Sequence, residues 1–295
     1  MNTWLIFALI SPLCYAVANI FDKFILDKRV KNFYAYMVIT GFFYMIPIAL
    51  VWYFVGFPPV DRTTVIIVFL AGICYGLVHF LYYYVLTKYE VSRIVGLFYM
   101  YPAFVALLSF ILINERLTLT HYLAILLAAG GAVFLGIERH KEKWRISHLF
   151  WIMLLASTLP ALIDVADKYL LGKFTYWEVY LLVTIPTAAI NLLPIVSRNV
   201  RRDLVQPLRT LGLIFIVELA AFGGAFSFLR AASVAPISIV SALSTFQPVF
   251  VFVFTVLASI YIPSILKEPL TRHALFHKVI GIAGIVIAAV ILSVA

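Results

Sequence analysis

A glutamate inside a long apolar segment is the residue with the clearest chemical potential. Glu218 is flanked by Val217 and Leu219, and no Lys or Arg lies within two helical turns of it. A carboxylate in nonpolar surroundings is costly unless it takes up a proton or meets a cation. Glu218 is therefore predicted to carry a proton or to partner a cationic ligand. The alternative is a glutamate that only holds two helices together.

Two more polar side chains interrupt apolar segments. Asp164 lies at a similar depth to Glu218, but Lys168 follows one helical turn later, so a binding site and a self-neutralising pair both remain open. Its equivalent in the first half is Asn19. His79 could transfer protons, because imidazole titrates near neutral pH, or could be a hydrogen-bonded packing residue. The other histidines fall near segment ends, so no metal site is predicted.

Polar side chains also surround two prolines, Pro102 and Pro248, within apolar segments. A proline inside a helix leaves the carbonyl four residues earlier without its usual partner, here that of Phe98 and that of Ser244. Side chains, water or a ligand could supply the missing partner, or the bundle could satisfy a tolerated kink. The candidate cavity-lining residues around the prolines are Tyr99, Tyr101, Ser244 and Gln247.

Ionic residues near segment ends have two interpretations. Arg93 and Arg230 could bind an anionic group or gate a cavity, although anchoring at the membrane surface is the more common role. The Asp–Lys pairs that begin at Asp22 and Asp167 are interpreted as packing and anchoring pairs. Glu115 precedes a threonine that could cap the next helix, so its predicted role is structural.

The elements that must position these residues are apolar segments long enough to cross a bilayer. Of the 295 residues, 64% are hydrophobic and 12% are charged, and the mean hydropathy is +1.07, which excludes a water-soluble domain. About ten segments reach the ~20 residues that a spanning helix needs. They are continuously apolar, whereas barrel strands would alternate. The predicted fold is all-α, a polytopic membrane protein with ten transmembrane helices. The segments run from Trp4 to Leu26, Phe33 to Val55, Thr64 to Thr87, Val91 to Ile113, Thr118 to Ile137, Ser147 to Leu171, Tyr176 to Val196, Thr210 to Ser233, Ile237 to Ile262, and Arg272 to Val294.

The chain also repeats itself. Residues 19–26 match residues 164–171, and residues 91–105 match residues 237–251 around the shared proline. The sequence therefore predicts two related five-helix units, residues 1–140 and 146–295. Because five is odd, the second unit enters from the opposite face, which makes the repeats inverted, as in many secondary transporters.

With these repeats, the proline-centred fourth helices and the glutamates that follow them, Glu115 and Glu268, the sequence resembles the EamA-like family of the drug/metabolite transporter superfamily. The resemblance covers essentially the whole chain. It implies a central cavity lined by the first, third, fourth, sixth, eighth and ninth helices, with the fifth and tenth at the periphery. Similar proteins export amino acids, metabolites or toxic compounds.

The distribution of basic residues and the family resemblance predict opposite membrane orientations. Most of the 22 Lys and Arg residues lie in the odd-numbered connections, which the positive-inside rule places in the cytoplasm, with both termini outside. The family resemblance instead implies cytoplasmic termini. The net charge of +9 is explained by these basic residues at segment ends, so nucleic acid is not an expected partner.

The leading hypothesis is a secondary transporter, an exporter of a small polar or amphipathic metabolite, amino acid or drug, in a prokaryotic plasma membrane. The alternatives are a flippase or accessory subunit for a lipid-linked sugar, served by Arg93 and Arg230, and, more weakly, a membrane enzyme. No catalytic residue, cofactor or metal is predicted. The expected partners are a small-molecule substrate and the lipid bilayer, with protons and a second copy of the chain in a homodimer as open candidates.

Overall fold

The computed structural model describes residues 3–136, 148–261 and 272–294. Every regular element within these ranges is helical, which confirms the all-α prediction. A helix satisfies its backbone hydrogen bonds within one segment, as hydrocarbon requires.

The helices of the first half are joined by short connections. They are α1 (Thr3–Lys28), α2 (Phe33–Val55), α3 (Arg62–Leu86), α4 (Val91–Phe98), α5 (Tyr101–Ile113) and α6 (Leu119–Gly136). Polar caps mark where two of them begin. The Asn32 side chain accepts a hydrogen bond from the amide of Ala35 at the start of α2, and Asp61 accepts one from the amide of Thr64 at the start of α3.

The second half follows the same plan with one extra short helix. Its helices are α7 (His148–Leu171), α8 (Tyr176–Leu192), α9 (Arg198–Arg202), α10 (Leu208–Ala232), α11 (Ile237–Leu243), α12 (Phe246–Tyr261) and α13 (Arg272–Val294). A 3₁₀ turn over Leu193–Val196 extends α8. A capping box of Thr175 and Glu178 begins α8.

Several of these helices have the length and composition of membrane spans. Among the described residues, six qualify: Thr3–Lys28, Phe33–Val55, Arg62–Leu86, Tyr176–Val196, Leu208–Ala232 and Ile237–Tyr261. Shorter apolar helices cover Tyr101–Ile113, Leu119–Phe134 and Val279–Leu292. The chain is therefore a polytopic membrane protein, and the total of ten spans stays a prediction.

The predicted fourth and ninth segments are each interrupted near their proline. The amide of Met100 bonds to the carbonyl of Leu97 at 3.4 Å, and the amide of Thr245 bonds to that of Ala242 at 3.1 Å, in the tight pattern of a helix end. The prolines then lie in the first turn of α5 and of α12, where a missing N–H costs little. The carbonyl of Ser244, expected to need a partner, accepts a hydrogen bond from the amide of Gln247 at 2.9 Å.

Contacts between the halves occur in matching pairs. Helix α1 packs against α10 and α12, and its repeat equivalent α7 packs against α3 and α5. Helix α2 packs against α8, and α6 packs closely against α13. The centre of the bundle is thus built from both halves.

Candidate functional site

A cavity of about 240 Å³ lies in the centre of the bundle. Eight of the ten predicted site residues line it, namely Asn19, His79, Tyr99, Tyr101, Asp164, Glu218, Ser244 and Gln247. Residues of α2 and α8, including Tyr44 and Tyr180, line it as well. Helices α2 and α8, which correspond to the second and seventh predicted spans, therefore line the cavity together with the six spans that the family resemblance implied.

Tyrosine rings make up a large part of the wall. The eight tyrosines that line the cavity are Tyr15, Tyr44, Tyr75, Tyr82, Tyr83, Tyr99, Tyr101 and Tyr180. They come from α1, α2, α3, α5, α8 and the break between α4 and α5. Because a phenol is apolar on its faces and polar at its tip, such a wall suits an amphipathic ligand.

Four carboxyl groups also face this space, on Asp22, Asp164, Asp167 and Glu218. Only two of them were predicted from the sequence. Asp22 and Asp167 had been interpreted as anchoring partners of the lysines that follow them. In the structure both are buried and line the cavity.

The lysines that were expected to pair with these acids bind elsewhere. The Nζ atom of Lys23 donates to the carbonyl oxygen of Leu86 at 2.7 Å and lies 3.0 Å from the carboxylate of Asp27. The Nζ atom of Lys168 donates to the carbonyl oxygen of Ala232, the last residue of α10, and to that of Ala235, each at 2.7 Å. Asp164 instead accepts a hydrogen bond from the hydroxyl of Ser241. The self-neutralising pair of Asp164 and Lys168 therefore does not form, and each side chain has a different partner.

Glu218 and Asp167 have unused hydrogen-bonding capacity. In the described part of the chain, the Oε2 atom of Glu218 and the Oδ1 atom of Asp167 are buried without a hydrogen-bond partner. The two residues are 8% and 2% exposed. A buried carboxylate oxygen without a donor is unusual and is typical of a site that holds a proton or a ligand. Asp22, in contrast, accepts a hydrogen bond from the hydroxyl of Tyr36.

His79 is hydrogen-bonded and packed against aromatic rings. Its Nδ1 atom lies 3.0 Å from the Asn191 side-chain nitrogen and 3.3 Å from the side-chain oxygen, and its Nε2 atom lies 3.4 Å from the Tyr44 hydroxyl. The ring is also stacked on that of Tyr83, with 5.9 Å between centroids. His79 is therefore a hydrogen-bonded packing residue that also faces the cavity.

The interrupted spans meet at the cavity wall. The hydroxyl of Tyr99, between α4 and α5, donates to the side-chain oxygen of Gln247 in α12. Tyr101 and Ser244 line the same region. The prolines thus place polar side chains of both halves in one wall of the cavity.

Of the two predicted arginines, only Arg230 has a described side chain. Arg230 does not line the cavity, and its guanidinium lies 5.1 Å from the ring centroid of Tyr176. The side chain of Arg93 lies outside the described residues. The described residues that line the cavity include no lysine or arginine.

Glu115 has a structural role, as predicted, but in the other half of the chain. Its carboxylate accepts hydrogen bonds from the amides of Ile237 and Ser238, at 2.8 and 3.1 Å, and from the Ser238 hydroxyl. It therefore caps α11 in the other half and not the next helix. The threonine expected to cap α6 does so, since the amide of His121 bonds to the hydroxyl of Thr118. Glu268 lies outside the described residues.

Comparison with known proteins finds a family match for the first half of the chain. Residues 2–137 match the model of the EamA-like transporter family. A crystal structure at 17% sequence identity has a TM-score of 0.66, covering 99% of this chain and 96% of the other, so the two proteins share a fold. No curated protein sequence matches the chain.

The family match suggests what the cavity is for. Proteins of the EamA-like family are membrane transporters of small solutes, and the apolar helices of this chain make it an integral membrane protein. In such a protein, a central space bounded by both halves is the expected place for the solute.

Proposed function

We propose that this EamA-like protein moves a small polar or amphipathic metabolite, amino acid or drug by alternating access, as an exporter in a prokaryotic plasma membrane. The observation that carries the proposal is the central cavity with polar groups from both halves. Its volume of about 240 Å³ is below the ~300–1,000 Å³ of sites for drug-sized ligands, which favours a small solute.

The transport cycle would use two inverted five-helix units, residues 1–140 and 146–295. Equivalent hydrogen bonds support this division. Lys23 in α1 bonds to the end of α3, and Lys168 in α7 bonds to the end of α10. If the two units exchange slightly different packings, the cavity opens first to one face and then to the other. The cavity lies within a single chain, so this cycle does not require a homodimer.

Glu218 is the proposed proton-coupling residue. Its unpartnered Oε2 atom faces the cavity near the middle of α10. A proton on Glu218 would remove the cost of a buried charge, and exchange of that proton for substrate would couple the two movements.

The test is transport by purified protein in liposomes under an imposed pH gradient. Amino acids, amines, sugars and nucleosides are offered in turn, and solute movement and lumenal pH are recorded together. Wild-type protein and the control Glu178→Gln, which changes a capping glutamate outside the cavity, should couple solute to proton movement. Glu218→Gln should lose the coupling. Full gradient-driven transport by Glu218→Gln would overturn the role of Glu218, and a wild-type protein that moves no solute would overturn the transport proposal.

A lipid-linked sugar is a weaker candidate substrate. Its phosphate groups call for basic contacts. The described cavity wall offers carboxyl groups, and Arg230 stacks on Tyr176 outside it.

A further inference from the structure

Among the described residues, the four carboxyl groups of the cavity have no cationic partner of their own. No lysine or arginine is found among the described residues that line the space. The two lysines that follow Asp22 and Asp167 in the sequence donate to main-chain carbonyls at the ends of α3 and α10. Within the described wall, this leaves protons or an entering ligand to neutralise the acids.

Two carboxylate oxygens are free to receive such a group. The Oδ1 atom of Asp167 and the Oε2 atom of Glu218 are buried, unpartnered among the described residues, and belong to side chains at least nine-tenths buried. One stands on α7 and the other on α10, so each half of the chain contributes an acceptor. An ammonium group that donates to a carboxylate forms one of the stronger kinds of hydrogen bond in proteins.

The aromatic wall also attracts positively charged groups. Eight tyrosines line the cavity, and the face of a phenol ring attracts a cation within about 6 Å of its centroid. Tyrosine rings compete poorly with water for a small hydrated metal ion, whereas an organic ammonium also buries its hydrocarbon part against them. The wall therefore favours an organic cation over an inorganic one.

Substrates with a free carboxylate are disfavoured by the same geometry. The carboxylate of an amino acid or organic acid would find no basic group in the described wall and would face four acids. Like charges brought together in a desolvated site repel each other strongly.

We propose that the substrates of this cavity are small organic amines that carry a positive charge and no carboxylate. The ammonium group donates to Asp167 or Glu218, and the hydrocarbon part lies between the tyrosine rings. This inference rests on the proposed transport function and names the substrate class of that same site.

The test compares four compounds that share a phenylethyl scaffold: 2-phenylethylamine, 2-phenylethanol, phenylalanine and 3-phenylpropionate. Binding to the purified full-length chain is measured by thermal shift and titration calorimetry, because a ligand of the folded form raises the unfolding temperature. The amine should bind. The alcohol, the amino acid and the acid should bind at least about 10-fold more weakly, since they lack the net positive charge. Equal or tighter binding of phenylalanine or 3-phenylpropionate, or no binding of the amine, would overturn the proposal.

Variants then connect binding to the two free oxygens. Asp167→Asn and Glu218→Gln should each weaken amine binding by about 10-fold or more, whereas Glu178→Gln should leave it unchanged. The wild-type ligand comparison decides the matter even if a variant fails to fold. Unchanged amine affinity in both folded variants would contradict the proposed contacts.

Flux measurements in liposomes separate this inference from the transport proposal. If phenylalanine is carried and the amine is not, transport stands and the cationic substrate class fails. If the amine binds but no compound crosses the membrane, the cation site stands and the transport proposal fails.

Discussion

Lys168 and Ala232 are joined across the bundle, with the Nζ atom of Lys168 2.7 Å from the carbonyl oxygen of Ala232, the last residue of α10. The equivalent lysine in the first half, Lys23, bonds in the same way to Leu86, the last residue of α3. The last carbonyls of a helix have no hydrogen-bond partner within it and carry the negative end of its dipole. A lysine there donates to these carbonyls and places a positive charge at the negative end. This leaves Asp167 free to face the cavity.

Replacing Lys168 should therefore destabilise the bundle. Lys168→Met leaves the carbonyls of Ala232 and Ala235 without their charged donor, and we expect the free energy of unfolding to fall by about 1–3 kcal/mol. Thermal unfolding in detergent measures it. The control Lys31→Met, on an exposed lysine, should change the value by less than about 0.5 kcal/mol. Equal effects of the two substitutions would count against the interaction.

The cap that Glu115 provides for α11 should be energetically coupled to Ser238. Glu115→Ala removes two amide contacts and one hydroxyl contact, and Ser238→Ala removes the hydroxyl alone. A double-mutant cycle on unfolding free energies should give a coupling of about 0.5–3 kcal/mol. Strict additivity of the two substitutions would show that the carboxylate does not act on α11.

Close packing of α6 against α13 should make two adjacent glycines behave differently. A Cβ atom at Gly131 would lie 2.7 Å from the main-chain oxygen of Gly281, whereas one at Gly130 would have no atom within 4 Å. Gly131→Ala should destabilise the protein by about 1–3 kcal/mol, because the neighbouring backbone cannot yield easily. Gly130→Ala should be neutral or slightly stabilising. Thermal unfolding of the two variants measures this difference. A larger loss of stability in Gly130→Ala than in Gly131→Ala would contradict the packing of α6 against α13.

Asp61 should make acid stability depend on pH. The Thr64 hydroxyl and amide face its carboxylate and Lys173 adds a positive charge, which lowers the pKa of Asp61 from 3.8 to about 2. Because the folded pKa lies below the unfolded value, the contribution is present above about pH 4 and is lost as the pH falls through about 2.

Asp61→Asn should flatten the decline in unfolding temperature between about pH 4 and pH 2, while asparagine still caps α3. Lys173→Met should keep most of the decline, since Thr64 is the larger cause. If Asp61→Asn and wild-type protein decline in parallel, the effect belongs to another group.

The sequence by itself determined the helical, membrane-spanning character of the chain. The thickness of hydrocarbon sets the length of each apolar segment, and the absence of water requires helices, so both can be derived from local composition. It also singled out Glu218 and Asp164, because an acid in an apolar segment stands out without any structure.

Only the tertiary structure decided how the charged side chains are partnered. Spacing along one helix suggested that Lys168 would neutralise Asp164, yet Lys168 reaches the end of α10 and Asp164 meets Ser241. In the same way, only the structure shows that Asp22 and Asp167 line the cavity and that Arg230 does not. The physical reason is that a side chain at a helix surface has potential partners on several neighbouring helices. Those neighbours depend on how each helix is rotated and packed, which residue spacing within one helix does not encode.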